Sequence, residues 1–326
     1  MNKFEKELYL LALAEQEKDK LERIFRDHYY LDSRYVGIAN KLQGCCHNIW
    51  IKDDGQGRYK LIPNYTCGIR FCPVCRFFTI RKELDKTYQV FKKIHRDEQL
   101  NRARYYYLTL TLKDVPIGKL KDSIAHFKES FKCLLERKEV KKFILGASAY
   151  VHIGLNDNHR VQPHLHVLMM FKPSYVSRQL INKTKWSSFW QEATHEDYPP
   201  FVECNRIGKG KIENSNDYYE LSKKIIYGMK TLEMSDIEKY PSTFLQVFDL
   251  MAGVHKSTHK GVIRTLRAEV KADYAAILKE KNRASNDYDN QEEEDDYDDY
   301  FICVMKYDES LKDYYQDHCI KYSSKR

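Results

Sequence analysis

Apolar positions recur at helical spacing through residues 3–27, where Leu8, Leu11, Ala12, Leu21, Ile24 and Phe25 interleave with glutamates and lysines, so the chain opens with a predicted amphipathic helix. A charged helix follows a cysteine-rich stretch and runs to about residue 99. From Tyr105 the period shortens to two. Residues Tyr105 to Leu112 are rich in β-formers and place Leu108, Leu110 and Leu112 on one buried face of a strand. Pro116 ends it, and Leu120, Ile124, Phe127, Phe131, Leu134 and Leu135 predict a helix over 118–138. Two strands come next, 147–156 and 161–171, joined into a hairpin by the polar loop Asn156, Asp157, Asn158, His159 and Arg160.

Beyond the hairpin lie a helix over 176–193 with Trp186 and Trp190 one turn apart, and a strand from Pro200 to Ile207. A Gly- and Lys-rich loop at 208–211 leads to a helix over 216–230 that Asn216 or Asp217 caps. Phe244, Leu245, Val247, Phe248, Leu250 and Met251 mark a further apolar helix, and Phe301 to Met305 a last strand.

Strand parity brings in the first chemistry. Side chains alternate with period two, so His164 and His166 project to one face while Leu165, Val167 and Met169 enter a core. In the preceding strand Val151, Ile153 and Leu155 share a face. Tyr150 and His152 lie opposite them, on the side of the two histidines, where His152 supplies a third ligand for a metal with open positions. Two half-buried histidines on an ordinary strand, with His152 a hydrogen-bonded bystander, are the alternative.

The chain has 326 residues, 42% of them hydrophobic, which is room for one large domain or two modest ones. It has no apolar run long enough to span a bilayer, and its first residues lack the basic-then-apolar order of a signal peptide, so a cytoplasmic protein is expected. In that reducing setting the nine cysteines, five of them within 45–75, predict metal binding over a disulfide framework. Cys46, Cys67, Cys72 and Cys75 are the expected ligands of a structural zinc, with Cys45 or His47 as substitutes for the first. Arg70, Arg76 and Arg81, with Lys82, decorate this knuckle and the helix after it and are candidates for DNA-backbone contact.

The net charge of +8 hides a larger excess. Nine acidic residues fall between Asp287 and Asp299, and the rest carries +17, 55 basic residues against 38 acidic. Such an excess suits a polyanionic partner, and the 13% aromatic content offers stacking surfaces for single strands. On the helix over 216–230, Glu220, Lys223 or Lys224, Tyr227 and Lys230 share one side. A nearby cation favours a phenolate, so Tyr227 suits attack on phosphorus.

Taken together, these features resemble the HUH-endonuclease replication initiators of small rolling-circle plasmids from Gram-positive bacteria, the family with a cysteine knuckle ahead of the catalytic motifs and a single-tyrosine helix after them. The resemblance rests on Cys67-x4-Cys72-Pro73-x-Cys75 with Arg81 following, Tyr107-Leu108-Thr109-Leu110-Thr111, Pro163-His164-Leu165-His166-Val167-Leu168, and Tyr227-Gly228-Met229-Lys230, and it covers about residues 45–265. Two positions depart from the pattern. His152 stands where the family commonly has a glutamate, and Ile226 and Lys223 stand where it has a lysine before the tyrosine and a glutamate one turn earlier, which keeps Tyr218 and Tyr219 as rival nucleophiles.

What the resemblance implies is an α/β (α+β) fold, a central antiparallel sheet of RNA-recognition-like type with the histidine motif on a middle strand and helices on one face, extended by a small zinc-knuckle module. The domains expected are a helical N-terminal region over 1–100 holding the knuckle at 45–76, an endonuclease core over 101–265, and a C-terminal region over 266–326 with a disordered acidic tract at 286–300. The implied activity is site-specific nicking of one DNA strand. His164, His166 and His152 or a nearby oxygen hold a divalent cation, magnesium or manganese, or zinc or a later transition metal if all three histidines ligate. Tyr227 attacks, leaving a 5′-phosphotyrosine and a 3′-OH primer, with Lys230 beside it and Glu220 as general base for a terminating water. Implied partners are single-stranded and origin DNA and a host helicase and polymerase, with no membrane. Two rivals remain: a zinc-dependent hydrolase in which the histidines activate water, and a non-enzymatic regulator that binds DNA through its knuckle.

Overall fold

The computed structural model describes residues 3–53, 59–156, 159–175, 181–207, 221, 224, 229, 231–287, 300–308, 310–311 and 313–322. They form two compact units: Met1–Arg81 with Lys281–Arg326, and Lys82–Glu280. In chain order the elements are α1 (Lys3–Asp27), α2 (Arg34–Gln43), β1 (Asn48–Asp53), β2 (Tyr59–Pro63), α3 (Pro73–Arg96), β3 (Arg104–Thr111), β4 (Val115–Pro116), α4 (Leu120–Glu136), α5 (Lys138–Lys141), β5 (Ile144–Leu155) and β6 (Arg160–Phe171). They continue with α6 (Lys183–Thr194), β7 (Val202–Ile207), α7 (Met234–Lys239), α8 (Pro241–Leu250), β8 (Ser257–Lys260), α9 (Gly261–Asp287), β9 (Tyr300–Asp308) and β10 (Asp313–Tyr322). Of the helix predicted over 216–230, Leu221, Lys224 and Met229 are described and helical. Tyr227, Glu220, Lys230, Tyr218, Tyr219, the 208–211 loop and residues 288–299 of the acidic tract lie outside the described residues.

The unit Lys82–Glu280 has the expected α/β fold around a central antiparallel sheet, in the order β7-β3-β6-β5-β8, with β4 also paired to β6. The histidine motif is on β6, a middle strand, because β6 pairs with β5 from Val161 to Phe171 and on its other side with β3 from His164 to Phe171. One sheet face carries Leu108, Leu110, Leu165, Val167, Ala149, Val151 and Ile153, all buried. Phe127, Phe131, Trp186 and Trp190 of α4 and α6 are buried too, and Phe127 lies 5.8 Å from Trp190, so the amphipathic helices close this core as their spacing foretold. Asn182 caps α6 by accepting from Lys185 N at 2.8 Å.

The opposite face is covered in part as well. Val90, Phe91 and Ile94 of α3 and Ile263 and Val270 of α9 form a second core with Tyr105, Tyr150, Leu168, Met170 and Leu221. Helices therefore lie on both faces, and the histidines sit on the partly covered one. Strand β8 is an element the pattern did not signal, since Ser257-Thr258-His259-Lys260 shows no apolar alternation; its pairing with β5 supplies the order. Gly261 ends it at φ 59°, where an added Cβ would lie 2.2 Å from the Leu145 carbonyl oxygen, so only glycine lets β8 turn into α9 against β5.

In the other unit β1 and β2 form a hairpin that β9 and β10 extend into an antiparallel sheet of order β10-β9-β1-β2. Ile49, Ile51, Leu61, Met305, Tyr307 and Tyr314 are its buried side. Cys303 and Cys319 face each other in register and form a disulfide, a cross-link that the reading of the cysteines as metal ligands did not include.

Candidate metal centres and catalytic face

Antiparallel register decides which histidines meet. His152 on β5 is directly opposite His164 on β6, and Tyr150 opposite His166, so all four side chains share a face as parity predicted. Ring centroids are 4.5 Å apart for His152 and His164, 4.9 Å for His164 and His166, and 5.5 Å for His152 and His166. One nitrogen from each can be chosen so that all three lie within 4.8 Å of one another. Across the next strand Thr109 pairs with His166 and Thr111 with His164.

Neighbours fix these rings. The Gln162 carbonyl accepts from His164 Nδ1 at 3.3 Å, which puts the proton on Nδ1 and leaves Nε2 as a lone-pair donor. Thr109 Oγ1 lies 3.4 Å from His166 Nδ1, and the Tyr107 ring stacks on His166 with centroids 5.6 Å apart. Burial lowers the pKa of His166 to about 4, with His164 adding to the effect, and burial lowers His164 too. Both rings are thus neutral near pH 7, the state that ligates. Three converging imidazoles fit a divalent transition ion.

The same face carries the described part of the predicted tyrosine helix. Leu221 is buried in the same cluster as Tyr105, Tyr150 and Met170, Met229 packs on that cluster, and the Lys224 ammonium stands 5.9 Å from the centre of the Tyr107 ring. Further along the sheet His259 of β8 meets Ser148 Oγ at 2.9 Å through Nδ1 and the edge of Tyr150 at 5.8 Å. Arg267 donates to Glu83 close by. No apolar pattern or motif flagged His259 as more than part of a basic segment.

The second cluster is in the other unit and consists of Cys45, Cys67, Cys72 and Cys75. Sulfur separations are 3.5 Å for Cys45–Cys75 and Cys67–Cys75, and 3.7 Å for Cys45–Cys72. A tetrahedron of zinc–sulfur bonds spaces its sulfurs by about 3.8 Å, so the four residues fit a structural zinc. Backbone N–H groups of Cys67 and Cys75 point at Cys45 Sγ and Cys72 Sγ, 3.3 and 3.5 Å away, the donors a thiolate uses. Hydrogen bonds from the neighbouring cysteines, Cys45 first, hold Cys67 and Cys75 below the ordinary thiol range.

Cys45, and not Cys46, is therefore the first member, a correction with a backbone cause. Cys46 takes the left-handed conformation at φ 57° and donates its N–H to the Tyr65 carbonyl at 2.9 Å, so the chain turns between the two cysteines and only Cys45 converges with the knuckle. His47 is exposed and outside the cluster. A buried network braces this turn. Lys18 donates to the Cys45 carbonyl at 3.3 Å and is ion-paired with Glu15; Tyr314 Oη donates to Glu15 at 2.8 Å and to the Cys46 carbonyl at 3.2 Å. The sequence held no signal for this network, since its members come from α1 and β10.

The candidate DNA contacts are engaged locally. Arg76 pairs with Glu17 at 3.4 Å and Arg81 with Glu7 at 2.8 Å, while Arg70 is half-buried and its pKa is lowered by desolvation.

A family model described as "Replication protein" matches residues 58–315. A "Protein rep" of Bacillus amyloliquefaciens is 28% identical over 233 residues, 69% of this chain and 67% of its own length. A second, from a Bacillus species, is 27% identical over 72% of this chain and 81% of its own, and one from Lentilactobacillus hilgardii is 25% identical over 80% and 87%. No solved structure matches the chain.

Proposed function

The chain belongs to the replication protein family, and from that membership we propose that it initiates rolling-circle replication of a small plasmid, binding the origin and nicking one DNA strand through a tyrosine. The observation that carries this reading is the convergence of His152, His164 and His166 on one partly covered sheet face, beside helical residues of the segment that contains Tyr227.

His164, His166 and His152 would hold the divalent cation, and His152 replaces the oxygen ligand that the family pattern would supply. Three nitrogen donors favour manganese or a later transition ion, zinc included, over magnesium, which prefers oxygen. Bound there, the cation polarises the scissile phosphate and offsets charge on its oxygens. Lys224 is three residues before Tyr227, so on a helix the two share a side, and Lys224 already stands over Tyr107 on the histidine face. Tyr227 Oη bonds to phosphorus as the bond from phosphorus to the 3′ oxygen breaks, giving a 5′-phosphotyrosine and a free 3′-OH. Lys230 favours the phenolate, and Glu220 takes the proton of the water that ends a round. The phosphotyrosine keeps the phosphodiester energy, so the strand is rejoined without ATP. Cys45, Cys67, Cys72 and Cys75 would hold a structural zinc, and Arg70, Arg76 and Arg81 would contact DNA by exchanging their local partners for phosphates. A host helicase and polymerase would extend the primer.

Incubation with a labelled single-stranded origin oligonucleotide and manganese, followed by mass spectrometry of the adduct, tests the mechanism. A DNA-linked peptide containing Tyr227 is expected. An adduct on Tyr218 or Tyr219 would reassign the nucleophile, and cleavage with no adduct would overturn the mechanism in favour of a metal-dependent hydrolase.

A further inference from the structure

Parity divides the motif Tyr107-Leu108-Thr109-Leu110-Thr111 of β3 between the two sheet faces. Leu108 and Leu110 are fully buried in the core that α4 and α6 close, while Tyr107, Thr109 and Thr111 stand on the histidine face. Thr111 turns its hydroxyl away and donates it to the Phe201 carbonyl at 2.8 Å. The other two converge on one imidazole. Thr109 Oγ1 lies 3.4 Å from His166 Nδ1, and the Tyr107 ring stacks on His166 with centroids 5.6 Å apart and planes inclined by 20°. Tyr107 reaches His166 diagonally across the sheet, since its direct partner on β6 is Leu168.

A histidine that ligates a cation has to hold its ring plane as well as its nitrogen. His164 and His152 meet His166 at steep angles, 83° and 67°, so neither sets that plane. Tyr107 is nearly parallel to it and does. When a divalent ion is bound the imidazole carries positive charge, which the negative π face of a tyrosine attracts more than it attracts a neutral ring.

The same tyrosine meets a second cation. The Lys224 ammonium is 5.9 Å from the ring centroid, inside the range over which an aromatic face attracts a charge. Lys224 is exposed, and an exposed lysine samples many rotamers; attraction to Tyr107 biases this one toward the histidine centre.

We propose that Tyr107 is the positioning residue of the histidine centre: its ring sets the plane in which His166 ligates and holds the Lys224 ammonium beside that centre, so that cation and lysine meet the same phosphate. The phosphate comes from the nickase reading, on which this part rests, whereas the role toward His166 stands without it.

The full chain, with one zinc in the cysteine cluster, is titrated with manganese, and the free ion is counted by its electron paramagnetic resonance signal. His164→Ala, which loses a ligand, marks the binding that belongs to this centre. Nicking of a labelled single-stranded origin oligonucleotide is followed on the same preparations. Tyr107→Leu should weaken manganese binding about tenfold and lower kcat at least as much, with KM little changed. Tyr107→Phe keeps the ring and should stay within about threefold of the wild type in both. Di- and trifluorinated phenylalanines at this position keep the shape of phenylalanine and drain its π face, so binding and kcat should fall stepwise along that series. Lys224→Met should lower kcat and leave manganese binding unchanged, and its effect should shrink in the Tyr107→Leu background. Circular dichroism and zinc content confirm that the variants fold. Binding and kcat that stay level along the fluorinated series overturn the proposal, and so does a Tyr107→Phe chain as impaired as Tyr107→Leu. Fully additive effects of Tyr107→Leu and Lys224→Met overturn the link to the lysine. A wild-type chain whose manganese binding depends on Tyr107 but which never nicks would remove the nickase reading and leave the role toward His166 in place.

Discussion

His152 lies directly across from His164 in the β5–β6 register, with 4.5 Å between ring centroids. The pair is the geometric core of the histidine centre, since His166 joins it from the same strand as His164 and the same side. His152→Ala should reduce metal affinity and nicking by about 100-fold or more, by loss of one of three ligands. His152→Glu should keep nicking and move the metal preference toward magnesium and manganese, because a carboxylate oxygen replaces a nitrogen. Calorimetric titration with each metal and an oligonucleotide nicking assay measure both.

Cys45 and Cys46 are neighbours with different expected roles. Cys45→Ser should abolish zinc retention and unfold the surrounding segment, because the site would lose one of four ligands that help fold it. Cys46→Ser should keep the zinc. Metal analysis of the two purified variants separates them; zinc retained by Cys45→Ser and lost from Cys46→Ser would reverse the assignment.

Tyr314 ties β10 to α1 by donating to Glu15 and to the Cys46 carbonyl. Tyr314→Phe keeps the ring and removes both bonds, leaving the buried Glu15 carboxylate, whose pKa burial already raises, with Lys18 as its partner. A loss of about 1–3 kcal/mol is expected in denaturant titrations, with zinc retained.

His259 sets a pH dependence in the unit Lys82–Glu280. Burial, helped by Arg267, lowers its pKa from 6.5 to about 4 in the folded chain. Between those values the unfolded chain binds the extra proton, so stability is complete above about pH 6.5 and falls as pH drops toward 4, by roughly 2–3 kcal/mol. His259→Gln should flatten this slope, read as the shift in thermal midpoint of that unit between pH 7 and pH 4.5. An unchanged slope would assign the acid sensitivity to other groups.

Much of the histidine centre was legible because it depends on period alone. In a strand, parity determines which side chains share a face, so Tyr150, His152, His164 and His166 could be placed together before any register was known. The helices α4 and α6 were legible for a similar reason, their apolar stripes being local and long. Boundaries and pairings were less so. Ser257 to Lys260 has no alternating pattern, and it is a strand because the edge of β5 was open to it.

By itself the sequence determined the element types, the shared face of the histidines and a cysteine-rich knuckle, all properties of residues close along the chain. Only the tertiary structure decided that Cys45 and not Cys46 joins the knuckle, since that rests on one left-handed residue and a hydrogen bond to Tyr65. It alone brought Glu15, Cys46 and Tyr314 together, and paired β9 with β1 across most of the chain length. The physical reason is common to both. Periodicity records which way a side chain faces relative to its neighbours in sequence, whereas long-range pairing is chosen by the burial and hydrogen-bond satisfaction of the whole fold, which no local pattern encodes.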